Sequence, residues 1–181
     1  DVTLICVGTP TVDGRMDMSQ IVAAAKEIGT ALADKRGYHV VAVKSTVLPG
    51  TTEGPVKAAI ESQSGKKVGE GWGLCMNPEF LREGRAIEDF RVPDRIVVGA
   101  TDSTTAEVFL RVYADFTCPK LVTTPRTAEM IKYVSNSLLA TMISFSNEIG
   151  NMCSAVPGVD ARLVWKGVHL DRRLTPVNGQ T

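Results

Sequence analysis

Glu79 and Glu83 stand four apart in NPEFLREG, residues 77–84, directly after the apolar run WGLCM. Pro78 fixes its own φ and biases Asn77 towards extended backbone. Glu79 is thereby held at the end of a hydrophobic run. Partial burial there would raise its pKa and suit it to moving a proton. The plainer reading is a helix N-terminus, where acidic residues are favoured and Glu83 and Arg85 face solvent. Lys132 and Asn136 are also four apart, in a segment of helical period, so they share one helix face. They could be the solvated flank of an amphipathic helix. Alternatively, they aim a cation and an amide into a cleft between domains, to stabilise an oxyanion and hydrogen-bond a sugar. Two further polar stretches follow apolar runs: Gly8-Thr9-Pro10 and KSTVLPGTT, residues 44–52. Thr46 could present its hydroxyl to a ligand. The stretch could equally be a strand–turn–helix link, with Thr51 or Thr52 capping the helix.

Such groups need a scaffold to position them. Residues 2–7 form a continuous apolar run, which suits a strand buried on both faces. Further buried strands are predicted over 40–43, 73–76, 95–99 and 121–123. Ile21, Ala25, Ile28 and Leu32 recur at helical period behind Asp17 and Gln20, which have capping-box spacing. Helices are also predicted over 56–64 and from 103 to about 115. Alternating strands and helices with short links imply an α/β fold, a mostly parallel sheet covered on both faces. Ligands bind such sheets beyond the carboxyl ends of the strands. The three polar exits, at 8–10, 44–52 and 77–84, should therefore converge on one edge.

After Pro125 the pattern changes. Residues 127–155 hold no Pro, and Met130, Ile131, Val134, Leu138, Met142, Phe145 and Ile149 form a helical stripe. This helix would be roughly 40 Å long, more than one sheet layer needs. A spine between two domains, or a dimer interface, is its natural use. Pro157-Gly158 ends it, a short helix is predicted over 159–165, and the domain boundary falls near residue 125.

Composition narrows the function classes. The 181 residues allow one domain or a domain and a half. With 20 basic and 20 acidic residues, no net field draws in nucleic acid or an anionic membrane, so neither is expected as a partner. The stretch SLLATMISF is too short to span a bilayer. Cys6, Cys75, Cys118 and Cys153 contain no C-x-x-C and read as reduced, buried thiols of a cytoplasmic protein. No metal-ligand cluster and no G-x-G-x-x-G is present, and His39 and His169 lie away from the polar exits. The chain opens on a strand without Met and ends in polar PVNGQT, as expected of an internal piece of a longer protein.

Taken in order, ICVGTP, VVAVKSTVLPGTT, NPEFLREGRAIEDFRVPDRIVVG, AEMIKYVSNSLLATMISFSNEIGNMC and GVDARLVWKGVHLDRRLTP resemble the UDP-glucose/GDP-mannose dehydrogenase family. These are nucleotide-sugar 6-dehydrogenases, and the resemblance spans nearly the whole chain. It implies the latter part of a Rossmann-like, doubly wound parallel sheet over 1–125, with the first βαβ missing. A long helix and the start of an all-α central dimerisation domain would follow over 126–181. It also implies oxidation of a sugar 6-hydroxymethyl group to a carboxylate in two hydride transfers to NAD, through a thioester on a cysteine. By motif match, Thr9, Thr46 and Glu83 would contact NAD, and Thr46 and Glu79 would position the hydrolytic water. Glu79, Phe80, Leu81, Arg82 and Glu83 would line the substrate site. Lys132 would stabilise the oxyanion, with Asn136 hydrogen-bonding beside it. A homodimer through the helical domain is implied.

None of the four cysteines matches the family's nucleophile segment, so the piece alone should be inactive and should bind NAD weakly. Its exposed sheet edge should also weaken its folding. Within the family, GDP-mannose dehydrogenases tend to carry Ser where this chain has Gly84. UDP-N-acetyl-hexosamine dehydrogenases tend to carry Arg where it has Phe80. Both residues point to UDP-glucose, with those two sugar nucleotides as alternatives. A non-catalytic nucleotide-sugar binding or oligomerisation module is the alternative of another class.

Overall fold

The computed structural model describes residues 1–171, 173 and 174. Its five-stranded sheet runs in the order β1 (Val2–Ile5), β4 (His39–Val43), β5 (Trp72–Met76), β6 (Ile96–Ala100) and β7 (Lys120–Thr123). β2 (Thr11–Val12) and β3 (Arg15–Met16) form a separate hairpin. Its Asp13-Gly14 turn has φ of 49° and 73°, the left-handed pair of a type I′ turn. Asp-Gly is the residue pair such a tight hairpin favours.

β4 is buried at every position, and its side chains alternate between two cores. Val41 and Val43 meet Ile5, Leu74 and Met76 on one face, under α1 (Ser19–Ala33) and α2 (Lys57–Ser64). Val40 and Ala42 meet Cys75, Val98, Phe109 and Tyr113 on the other, under α4 (Ser103–Leu110) and the 3₁₀ turn Arg111–Tyr113. The sheet is thus covered on both faces, as expected of a continuous apolar strand pattern.

Strand direction is less uniform than the sequence suggests. β1, β4 and β5 are mutually parallel, but β6 runs antiparallel to β5, and β7 is parallel to β6. Between β5 and β6 lies only the short α3 (Ala86–Arg91), which does not make a full crossover. Apolar periodicity carries no information on strand direction. The three polar exits nonetheless share one edge, because all three leave the parallel trio.

Two caps also differ from expectation. Asp17 does not cap α1: Met18 holds that position, and Asp17 accepts from the Ser19 backbone N–H in a local turn. Neither Thr51 nor Thr52 caps α2, which is entered through a π-helical turn, Thr52–Val56, kinked at Gly54. The buried thiols are also only half realised, since Cys75 and Cys153 are buried, Cys6 is exposed and Cys118 is intermediate.

Gly29 lets α1 and α2 approach closely. A Cβ there would lie 2.7 Å from the Ile60 carbonyl oxygen and 2.8 Å from Gln63 Cβ. Gly29→Ala gains about 1 kcal/mol of helix propensity but overpacks against backbone. A net loss of roughly 1–3 kcal/mol is expected in a denaturant titration; an unchanged midpoint would show that the helices can separate freely.

The chain divides into two compact units, one ending at Val134 and the other starting at Ser135. The division falls inside α5 (Pro125–Ala155). In the second unit, Asp160 caps α6 (Ala161–Val168) by accepting from the Arg162 N–H, and Trp165 packs edge-on against Phe145 at 6.2 Å. Much of the apolar stripe of α5 is exposed among the described residues: Leu138, Met142 and Phe145 are each more than half exposed.

Candidate active site

The three exits are braced to one another. The Thr9 hydroxyl donates to the Thr46 carbonyl at 2.8 Å, joining the β1 exit to the β4 exit. Ser45 Oγ donates to the Val7 carbonyl at 2.6 Å, a second tie between the same exits. The Thr46 hydroxyl has no protein hydrogen bond among the described residues. Asn77, at the β5 exit, is buried and uses both ends of its amide: Nδ2 donates to the Val97 carbonyl at 2.8 Å. Its Oδ1 accepts from Tyr113 OH at 2.6 Å and from Lys44 Nζ at 3.1 Å. Burial pushes the Tyr113 hydroxyl up to about 12 and holds the Lys44 ammonium below its ordinary range.

Glu79 follows Asn77-Pro78 and is partly buried, as expected, but it is paired. Lys132 Nζ stands 3.1 Å from its Oε1, and its Oε2 accepts from the Leu81 N–H. Lys132 is only 5% exposed. A buried ammonium in an apolar setting must be paired, and Glu79 is its partner. Phe80 lies beneath two cations, with Arg95 Cζ 3.9 Å and Lys132 Nζ 5.3 Å from the ring centroid.

Glu83 does not lie one helical turn beyond Glu79. Residues 77–82 have no regular structure, and Glu83 is exposed in the turn before α3. Leu81 and Arg82 are exposed as well, but Arg82 is clamped onto Asp89 through its backbone N–H at 2.9 Å and its Nε at 3.0 Å. That guanidinium holds the Asp89 carboxyl down at about 2. Asn136 follows Lys132 in α5 and is exposed, within the second unit.

Lys132 is carried to Glu79 by the first turns of α5, and two features seat them. A Cβ on Gly99 would sit 2.6 Å from the Thr124 carbonyl and 2.7 Å from Ala128 Cβ, so α5 starts directly on β6. Glu129 is fully buried, and its carboxylate accepts from the Gly50 and Thr52 N–H groups. It thereby supplies the acceptor that Thr51 and Thr52 were expected to supply. The Thr52 hydroxyl is instead buried without a partner. The sequence reading missed Glu129, Asn77, Tyr113 and Lys44. A readable trace existed for the first: Pro125, Ala128, Glu129 and Lys132 recur at helical period, on a face distinct from the apolar stripe.

Residues 1–117 match the NAD-binding domain model of the UDP-glucose/GDP-mannose dehydrogenase family, and residues 126–179 match that family's central domain model. The chain belongs to this family. Among curated relatives, it is 43% identical over 175 residues to a GDP-mannose 6-dehydrogenase of Pseudomonas aeruginosa, covering 96% of this chain and 40% of that protein. It is 44% identical over 180 residues to a UDP-glucose 6-dehydrogenase of Haloferax volcanii, covering 96% and 42%. Among solved structures, a ternary complex of the P. aeruginosa GDP-mannose dehydrogenase superposes with a TM-score of 0.92 at 42% identity, covering 99% of this chain and 41% of that one. A UDP-glucose dehydrogenase of Pyrobaculum islandicum superposes at 0.87 with 48% identity, covering 96% and 39%. The chain thus spans about two fifths of the length of these relatives. Its cofactor is NAD, and the sheet edge fits one. The segments leaving two adjacent parallel strands carry Thr9 and Thr46 there, and the Thr46 hydroxyl has no protein partner among the described residues. At Gly8 an added Cβ would meet only Gln20 Oε1, at 3.5 Å, so the backbone is approachable.

Among the described residues, no helix is long and apolar enough to cross a membrane.

Proposed function

We propose that this chain is the cofactor-binding part, with the first central helices, of a nucleotide-sugar 6-dehydrogenase that oxidises UDP-glucose to UDP-glucuronate. The observation that carries this is the Glu79–Lys132 pair, 3.1 Å apart and with Lys132 buried, on the edge where Thr9 and Thr46 emerge. Thr9, Thr46 and Glu83 would hold NAD, which when bound accepts hydride from the sugar's C6. Lys132 holds the negative charge that develops on the reacting oxygen, with Asn136 as a second donor. Glu79 and Thr46 orient the water that completes oxidation to the carboxylate, and Lys132 keeps Glu79 in place. Phe80, Leu81 and Arg82 line the sugar nucleotide's path. The covalent cysteine implied by the family resemblance is none of Cys6, Cys75, Cys118 or Cys153. Residues 1–125 would form part of the NAD domain, and 126–181 would open a helical domain. The exposed apolar residues of α5, Leu138, Met142 and Phe145, support a homodimer through that domain, and four free cysteines suit a cytoplasmic protein.

The choice of UDP-glucose rests on Phe80 and Gly84. Phe80 argues against a UDP-N-acetyl-hexosamine, and Gly84 against GDP-mannose, although its φ of +80° is by itself a further reason for a glycine there. GDP-mannose is the second reading, favoured by the P. aeruginosa relative. Absorbance of NADH formed by the full-length protein with each sugar nucleotide separates them. We expect kcat/KM for UDP-glucose to exceed that for GDP-mannose by about 10-fold or more, the discrimination that a few pocket contacts supply. The reverse order transfers the assignment to GDP-mannose. No NADH from any sugar nucleotide would leave a non-catalytic binding module.

A further inference from the structure

Lys44 has no role in the proposed reaction, yet it is the most deeply placed cation at the exit of β4. Its Nζ reaches the Asn77 side chain at 3.1 Å, on the neighbouring strand. The backbone repeats the link, since Asn77 N–H donates to the Val43 carbonyl at 2.8 Å. Two residues downstream of Lys44 is Thr46, and two residues downstream of Asn77 is Glu79. Lys44 therefore spans the two chain exits that carry the proposed water-positioning pair. Ser45 and Thr9 brace β1 to β4, whereas Lys44 braces β4 to β5.

A lysine is a costly choice for a purely mechanical brace. Burial penalises its ammonium, and Lys132 repels it, while Glu79 and Cys6 act in its favour. Met would fill the same volume without that penalty. The charge is explained if its benefit lies at Glu79. Lys132, from α5, stands 3.1 Å from that carboxylate, Lys44 feels it electrostatically from β4, and Arg95 is held over Phe80.

We infer that Lys44 is a positioning residue: through Asn77 and through its charge it holds Glu79 in register with Thr46 for the water step. This rests on the site reading above, and a double-mutant cycle in the full-length protein separates the two. Lys44→Met should lower kcat about 10-fold or more with KM for both substrates nearly unchanged, the mark of an interaction used in the transition state. It should melt no lower than wild type, because a partly buried, desolvated ammonium has been replaced by an apolar side chain. A merely structural lysine would lose both activity and stability. Lys44→Arg should recover most of kcat. In a Glu79→Gln background, Lys44→Met should cost less than about twofold, because residues acting as a unit are non-additive. Wild-type kcat in Lys44→Met, or an equal loss in both backgrounds, overturns the inference and leaves Glu79 standing. Wild-type kcat in Glu79→Gln alone overturns the site reading itself. If Lys44→Met gives no cooperative melt, Lys44→Gln carries the same cycle.

Discussion

Lys132→Ala in the full-length protein should lower kcat by about 10²–10³-fold, the usual cost of removing one preorganised donor from a developing oxyanion. The loss should appear in kcat more than in KM. Lys132 is 5% exposed, and α5 anchors it before substrate arrives, so it pays little reorganisation when charge develops. A second effect adds to the first. Glu79 loses the cation 3.1 Å away and keeps only the Leu81 N–H, so its carboxylate is freed to turn away from the water. Lys132→Arg should restore little, because a planar fork does not reproduce a compact ammonium wedged between Glu79 and Phe80. Steady-state NADH formation is the measurement. A kcat within a factor of two of wild type would remove Lys132 from the mechanism.

Glu129→Ala should be among the most destabilising single changes in the first unit, by about 2–5 kcal/mol, since two backbone N–H groups lose a charged acceptor at about 1–3 kcal/mol each. The Gly50 and Thr52 N–H groups lose their acceptor. Thr52 already has one buried hydroxyl without a partner, so no local group is placed to compensate. Glu129→Gln should also be costly, since the amide turns an NH₂ towards one of two N–H donors. The denaturant midpoint of the purified protein reports both. A shift below about 0.5 kcal/mol, the level of an ordinary surface change, would mean that the turn finds another acceptor. The consequence reaches chemistry as well as stability. Glu129 ties α5 to the loop from residue 44 to 52, so losing it loosens Lys132 and Thr46 together.

The residues that could do chemistry were largely legible in the chain. Glu79, Thr9 and Thr46 stood out because polar side chains interrupt apolar runs at strand ends, and Lys132 because it stands four before Asn136 at helical period. The alternation of buried strands and helices was legible for the same reason, since burial on both faces leaves a continuous apolar signature, as in HVVAV. Positions that depend on pairing were not. Asn77 and Lys44 look like ordinary turn residues in sequence, and their meaning comes from meeting across two strands that are 33 residues apart. The helical stripe of α5 was legible as a helix, but not which side the chain itself covers. Ala128, Glu129 and Lys132 face inward, while Met130 and Leu138 are at least half exposed.

The sequence by itself determined the elements, the polar exits, the family and the cofactor class, because those follow from local pattern and ordered motifs. Tertiary structure alone decided the direction of β6, which depends on how a 19-residue connection (residues 77–95) returns to the sheet. It also decided that Glu79 is paired with Lys132 rather than simply desolvated, that Arg82 is spent on Asp89, and that Glu129 serves as the missing cap. The Glu79–Lys132 and Glu129 contacts join residues more than 50 apart, Arg82 and Asp89 are seven apart across a turn, and local propensity carries no information about which of these groups will meet.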